Sequence, residues 1–186
     1  MLNLFRRPER RATIQRLYGV IVAQARQPAF YTDFAVPDTI EGRFELVLLH
    51  TFLACHRLKN GDAASREMSQ LVFDAFLDDM DRSLREMGVG DLTVPKRMKK
   101  IGQAFYGRAG VFDAALQAGA PPDSLREAVA RNIYEVEAAA LGAPGEALVA
   151  YVRRTVAALA AVPTEAFASG DVHFPTPIAR EGADHE

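Results

Sequence analysis

The chain has 186 residues, 49% of them hydrophobic and 25% charged, with a formal net charge of −2. This is the composition of one ordinary globular domain, and it excludes a disordered, collagen-like or disulfide-stapled protein. The charge balance does not mark a nucleic-acid binder, and the single cysteine, Cys55, permits no internal disulfide and points to a reducing compartment.

The longest apolar runs, such as Val156 to Val162, fall far short of the roughly 20 residues a membrane span needs. The N-terminal MLNLFRRPERR carries Arg6, Arg7, Arg10 and Arg11 but no apolar segment long enough for a secretory signal. The expected location is cytoplasmic, with any membrane contact peripheral.

The first predicted helix runs from about Glu9 to Gln27, with Ile14, Leu17, Tyr18, Ile21, Val22 and Ala25 at helical spacing, and Pro28 ends it. An aromatic loop follows, with Phe30, Tyr31, Phe34 and Val36 laid on the core. Asp38, with Glu41 three residues on, reads as the capping box of a second helix reaching about Asn60. From Phe44 to Leu58 this helix is apolar on nearly every face, so it is expected to be the most buried element. The next helix spans about Asp62 to Met87 and stops at Gly88. After the tight connection GVGDLTVP, Pro95 opens a helix to about Tyr106. Gly107 and Gly110 are read as breaking it, with a short helix from about Val111 to Gln117. Ser124 and Glu127 form a further capping box, and Gly142 and Pro144 separate that helix from the last one, which carries Leu148, Tyr151, Val152, Val156 and Leu159. No segment alternates with the period of a strand. The expected fold is an all-α, single-domain bundle of six or seven helices over residues 1–163, followed by an extended or disordered tail over 164–186.

No catalytic constellation emerges. His50 and His56 are about 120° apart on a helix, too far round to share a ligand face, and Cys55 points to a third side. They are expected to be packed, hydrogen-bonded core residues, with no metal and no cofactor. The serines occupy helices, caps and the tail, and an apolar setting makes Cys55 inert. Gly88-Val89-Gly90 lacks the third glycine of a dinucleotide fingerprint and follows no strand.

Two charged helices are more informative. Asp74, Asp78 and Asp81 share one face, with Asp79 alongside and Arg82 and Arg85 four residues after Asp78 and Asp81. The plain reading is a solvated face laced with ion pairs. The DDMD run also resembles the Asp-rich helices of isoprenoid-processing enzymes, where carboxylates hold magnesium and a pyrophosphate. That chemistry needs a second carboxylate cluster, and the later helices offer only scattered Asp113, Asp123, Glu127, Glu135 and Glu137. The following helix bears Lys96, Arg97, Lys99, Lys100 and Arg108 with no acid between Pro95 and Arg108. Such a face is either soluble exterior or a patch for anionic headgroups or RNA phosphates. One short basic stretch without evident aromatic stacking does not amount to sequence-specific nucleic-acid binding.

The segments FYTDFAVPDTIEGRFELVLLHTFLACHRLK and DDMDRSLREMGVGDLTVPKRMKKIGQAFYGR together resemble the ubiquinol–cytochrome c chaperone family. The resemblance is strong from Phe30 to Gly110 and looser beyond. It implies a helical, non-catalytic assembly factor for the cytochrome bc1 complex that binds newly made cytochrome b or other bc1 subunits. In the mitochondrial members it also implies a place near the ribosome and the inner membrane, with a small partner protein. This chain resembles a short bacterial version without a transit-peptide-like extension. An isoprenoid-processing enzyme using magnesium is the alternative. On the chaperone reading, the acidic and basic helices form one two-sign partner-binding surface. Its residues are Asp78, Asp79, Asp81, Arg82, Arg85, Lys96, Arg97, Lys99, Lys100, Tyr106 and Arg108. The protein would then sit in the cytoplasm, peripherally at the inner face of the cytoplasmic membrane.

Overall fold

A computed structural model describes residues 6–178, with side chains from residue 10 onward. The first five residues and the acidic end of the tail, 179–186, lie outside the described residues. Six long helices build the bundle: α1 (Arg6–Ala25), α3 (Ile40–Lys59), α4 (Ala63–Glu86), α5 (Val94–Leu116), α6 (Ser124–Ile133) and α7 (Ala143–Ala161). Two short ones, α2 (Ala29–Thr32) and α8 (Thr164–Ser169), and a 3-10 turn at Ala138–Ala140 complete it. No strand occurs among the described residues, so the fold is all-α, as the apolar spacing requires.

Helix α3 is the axis. It packs against α1, α4, α5, α6 and α7, and every residue from Leu46 to Ala54 is buried. Its start differs from expectation by one residue. Thr39, in extended conformation, is the N-cap, and its hydroxyl accepts from the Gly42 N–H at 3.1 Å. Asp38 instead pairs with Arg43 at 2.6 Å. A side chain at position 42 would place its Cβ 2.0 Å from the Pro37 carbonyl oxygen, so glycine lets the incoming chain cross the first turn. Helix α4 starts as its sequence indicates: Asp62 accepts from the Ser65 N–H at 2.8 Å. Helix α6 differs, since Ser124 is its first helical residue and Asp123 occupies the N-cap without a side-chain hydrogen bond.

Helix α5 is continuous, against the expected break at Gly107 and Gly110. Each glycine in a helix costs about 1 kcal/mol relative to alanine. Phe105 and Phe112, one on either side, are 4% and 0% exposed, and burying two aromatic side chains outweighs that cost. The beginning of the tail also departs from expectation. Residues 164–169 form α8, and Phe167 and Val172 belong to the core. Only 171–178 runs without regular structure, and it is anchored: Gln24 Nε2 donates to the Pro175 carbonyl at 2.9 Å, and Phe174 lies against the His50 ring. Packing therefore continues past residue 163, because Phe167 and Val172 supply apolar surface that the bundle buries.

Candidate functional site: charged grooves and a hairpin around α4 and α5

The acidic face of α4 borders a groove of about 750 Å³ against α1. Asp74, Asp78, Asp79 and Arg82 line it from α4, Arg10, Arg11 and Tyr18 from α1, and Arg26 from just past the end of α1. Tyr18 donates its hydroxyl proton to Asp79 at 2.9 Å. Burial, reinforced by that carboxylate, raises the Tyr18 phenol far above its usual range, so the phenol stays a donor. The α1 residues were not expected here. Tyr18 falls on the apolar stripe of α1, but its hydroxyl needs a partner once the ring is buried, and that was the available signal. The groove does not fit the magnesium alternative. A second carboxylate cluster is required opposite Asp78, and the α1 wall presents arginines instead.

Farther along α4, Asp81 pairs with Arg85 at 2.6 Å, and Arg85 also reaches Asp91 at 2.5 Å. The expected i, i+4 compensation is thus realised for Asp81, and the same arginine reaches the connection after α4. Gly88, at φ +79°, turns the chain. The Val89 N–H donates to the Leu84 carbonyl and the Gly88 N–H to the Arg85 carbonyl, the paired bonds of a Schellman C-cap. Lys96, Arg97, Lys99 and Lys100 are all exposed at the start of α5. None of the four forms an ion pair among the described residues.

Tyr106 and Arg108 separate from this set. Tyr106 is 62% exposed, its ring 5.1 Å from that of Phe73, at the edge of a second groove of about 360 Å³ between α3, α4 and α5. Arg108 has a partner within the bundle. It grips Glu45 of α3 through two bonds, at 2.5 and 2.6 Å. Glu45 is 7% exposed. Burial raises its carboxyl above the ordinary range against the pull of Arg108. A carboxylate so placed needs its cation, so Arg108 supports the bundle.

Most other polar residues of α3 are also tied. His50 is fully buried; its Nδ1 lies 2.7 Å from the Leu46 carbonyl and its Nε2 2.9 Å from the Tyr151 hydroxyl. Burial pushes its pKa down to about 4, so it is neutral. Nδ1–H then donates to Leu46, and Nε2 accepts from Tyr151. His56 and Lys59 both bond Asp113 Oδ1, the first at 2.8 Å. Partial burial raises the Asp113 carboxyl, but those two hydrogen bonds outweigh it and hold it below the usual range. Burial pushes the Cys55 thiol up to about 11, and it donates to the Ser69 carbonyl at 3.5 Å. The Thr51 hydroxyl is the exception, buried without a hydrogen-bond partner among the described residues. Among those residues, no three His, Cys, Asp or Glu side chains converge as a metal site. No helix there is long and apolar enough to cross a membrane.

An all-helical bundle with a polar interior engaged almost throughout, and charge concentrated on outer grooves and one hairpin, is the class of protein these features define. The chain belongs to the ubiquinol-cytochrome C chaperone family, whose model matches residues 32–174. The match extends well past the Phe30 to Gly110 stretch and takes in α6, α7, α8 and Phe174, the part of the tail laid on the core. The crystal structure of the Cbp3 homolog from Brucella abortus superposes with a TM-score of 0.82 at 44% identity, covering 95% of this chain and 97% of that one. Over 101 residues, 54% of this chain, the sequence is 23% identical to ubiquinol-cytochrome-c reductase complex assembly factor 1 of Xenopus laevis and covers 50% of it. The human protein of that name is 24% identical over 101 residues, of which 34% of its length is covered. The chain thus spans half or less of these curated relatives.

Proposed function

We propose that this chain is an assembly chaperone of the cytochrome bc1 complex, holding a newly made subunit, cytochrome b foremost, without catalysis of its own. The observation that carries this reading is the family match over most of the bundle, 32–174. The curated relatives, named as assembly factors of ubiquinol-cytochrome c reductase, support it. A polar interior engaged almost throughout leaves the outer charged surface as the part able to act. On this reading the partner-binding surface is that of α4 and α5: Asp78, Asp79, Asp81, Arg82, Arg85, Tyr106 and Arg108, the last also holding Glu45, meet the client, and Lys96, Arg97, Lys99 and Lys100 form the part of it turned to the membrane. The protein works in the cytoplasm, at the inner face of the cytoplasmic membrane, where a membrane-bound client emerges; the exposed basic start of α5 suits an anionic surface there.

Affinity capture of the tagged chain from native membranes tests this directly. Cytochrome b, or another bc1 subunit, is expected among the captured proteins in excess over a tag-only control. Capture that is specific but contains no bc1 subunit contradicts the proposal.

A further inference from the structure

The connection between α4 and α5 carries the most exposed large apolar residue described. Leu92 is 99% exposed, and Met87, five residues earlier, is 57% exposed. This exposure is held by the backbone. Besides the two bonds closing α4, the Thr93 and Val94 N–H groups both donate to the Gly90 carbonyl, at 2.8 and 3.2 Å. Val94, two residues after Leu92, is 1% exposed and pins the turn to the bundle. Leu92 is therefore presented outward by a fixed turn.

Charge surrounds it unevenly. From Arg85 to Lys100 there are five cations and two carboxylates, in a chain whose net charge is −2. Of those carboxylates, Asp91 is held by Arg85, and Glu86 is exposed. Lys96 to Lys100 spans about 6 Å of the α5 axis just behind the turn, at 1.5 Å per residue. Interfacial elements sink their apolar side roughly 5–10 Å into the headgroup and acyl boundary. A protruding leucine with a collar of cations at that depth matches an anionic phospholipid surface: Leu92 and Met87 enter the acyl edge while the lysines meet the headgroups.

We propose that the α4–α5 hairpin is the membrane-contacting tip of this protein, with Leu92 inserted into an anionic bilayer and Lys96, Arg97, Lys99 and Lys100 bound to its phosphates. This rests on the proposed placement at the membrane and assigns it to one turn. A fluid lipid surface suits a single projecting side chain better than a protein partner does, since a stable protein interface needs on the order of 1,000 Å² of complementary surface.

The sequence contains no tryptophan, so Leu92→Trp in the full chain is a clean reporter. Its emission is expected to shift to the blue on phosphatidylcholine vesicles containing phosphatidylglycerol, and to be quenched by brominated acyl chains. Both signals should vanish with pure phosphatidylcholine and in a Lys96→Glu, Lys99→Glu background. Val111→Trp, about 25 Å along α5, should keep a water-exposed spectrum. Leu92→Ser should weaken vesicle binding roughly tenfold to a hundredfold, the loss of one buried leucine. Binding of the Leu92→Trp variant to anionic vesicles with unshifted emission overturns the hairpin assignment and leaves the membrane placement standing. Absence of any vesicle binding overturns both, while capture of bc1 subunits is scored separately.

Discussion

Helices α3 and α5 are similar in length and opposite in construction. Helix α3 is enclosed by five other helices, and of its buried polar groups Glu45 and His50 are consumed by Arg108, Leu46 and Tyr151. Helix α5 buries only Val94, Phe105 and Phe112; a side chain built at Gly102, Gly107 or Gly110 would meet open space. The first is a scaffold and the second a surface resting on it. A substitution should therefore act on stability in α3 and, away from Val94, Phe105, Arg108 and Phe112, on binding in α5.

The largest effect is expected where α3 is most enclosed. Phe52 is 3% exposed and packs on Phe112 with ring centroids 5.7 Å apart. Phe52→Ala should cost about 3–5 kcal/mol in chemical denaturation, with m essentially unchanged; a loss under about 1 kcal/mol would break the contrast.

His50 gives the next largest, through pH. Its folded pKa of about 4 lies below its ordinary value of 6.5, so between those values the unfolded chain binds the extra proton. Its contribution is whole above pH 6.5 and is lost as pH falls toward 4, on the order of 3 kcal/mol in all. His50→Phe should flatten that part of the stability–pH curve, whatever its own stability at neutral pH. An unchanged slope would mean that His50 is not buried neutral.

Arg108→Met should cost about 2–3 kcal/mol near neutral pH, less than a fully buried pair would because Arg108 is 29% exposed. Glu45, already raised, rises further without its partner. Protonation then favours the folded state, so the deficit should shrink as pH falls and grow as pH rises through the Glu45 value. A deficit independent of pH would mean that the arginine acts by packing alone. The smallest effect belongs to the outer face of α5: Lys96→Glu with Lys99→Glu should alter the unfolding free energy by no more than about 0.5 kcal/mol, and a larger loss would show that these lysines support the bundle.

Local features carried much of this into the sequence. The all-round apolar pattern of α3, the start of α4 near Asp62 and the Gly88 stop are short-range signals, and each has its physical counterpart in the structure. The continuity of α5 was hidden because glycines argue locally for a break, whereas Phe105 and Phe112 hold the helix through contacts made elsewhere. The pairing of Arg108 with Glu45 was hidden for the same reason, since Glu45 lies 63 residues away. Tyr18 reaching Asp79, and Phe167 returning to the core, are likewise long-range.

On the proposed function, the charged exterior of α4 and α5 does the work and the interior only supports it. Asp78→Lys with Asp81→Lys reverses one exposed and one half-buried charge at the surface and gives up only the surface pair of Asp81 with Arg85, which contributes little to stability, so the variant should melt within a few degrees of the parent. Expressed in place of the parent chain, it should sharply lower ubiquinol–cytochrome c reductase activity in isolated membranes. A variant that is folded and supports the parent level of that activity would contradict the account.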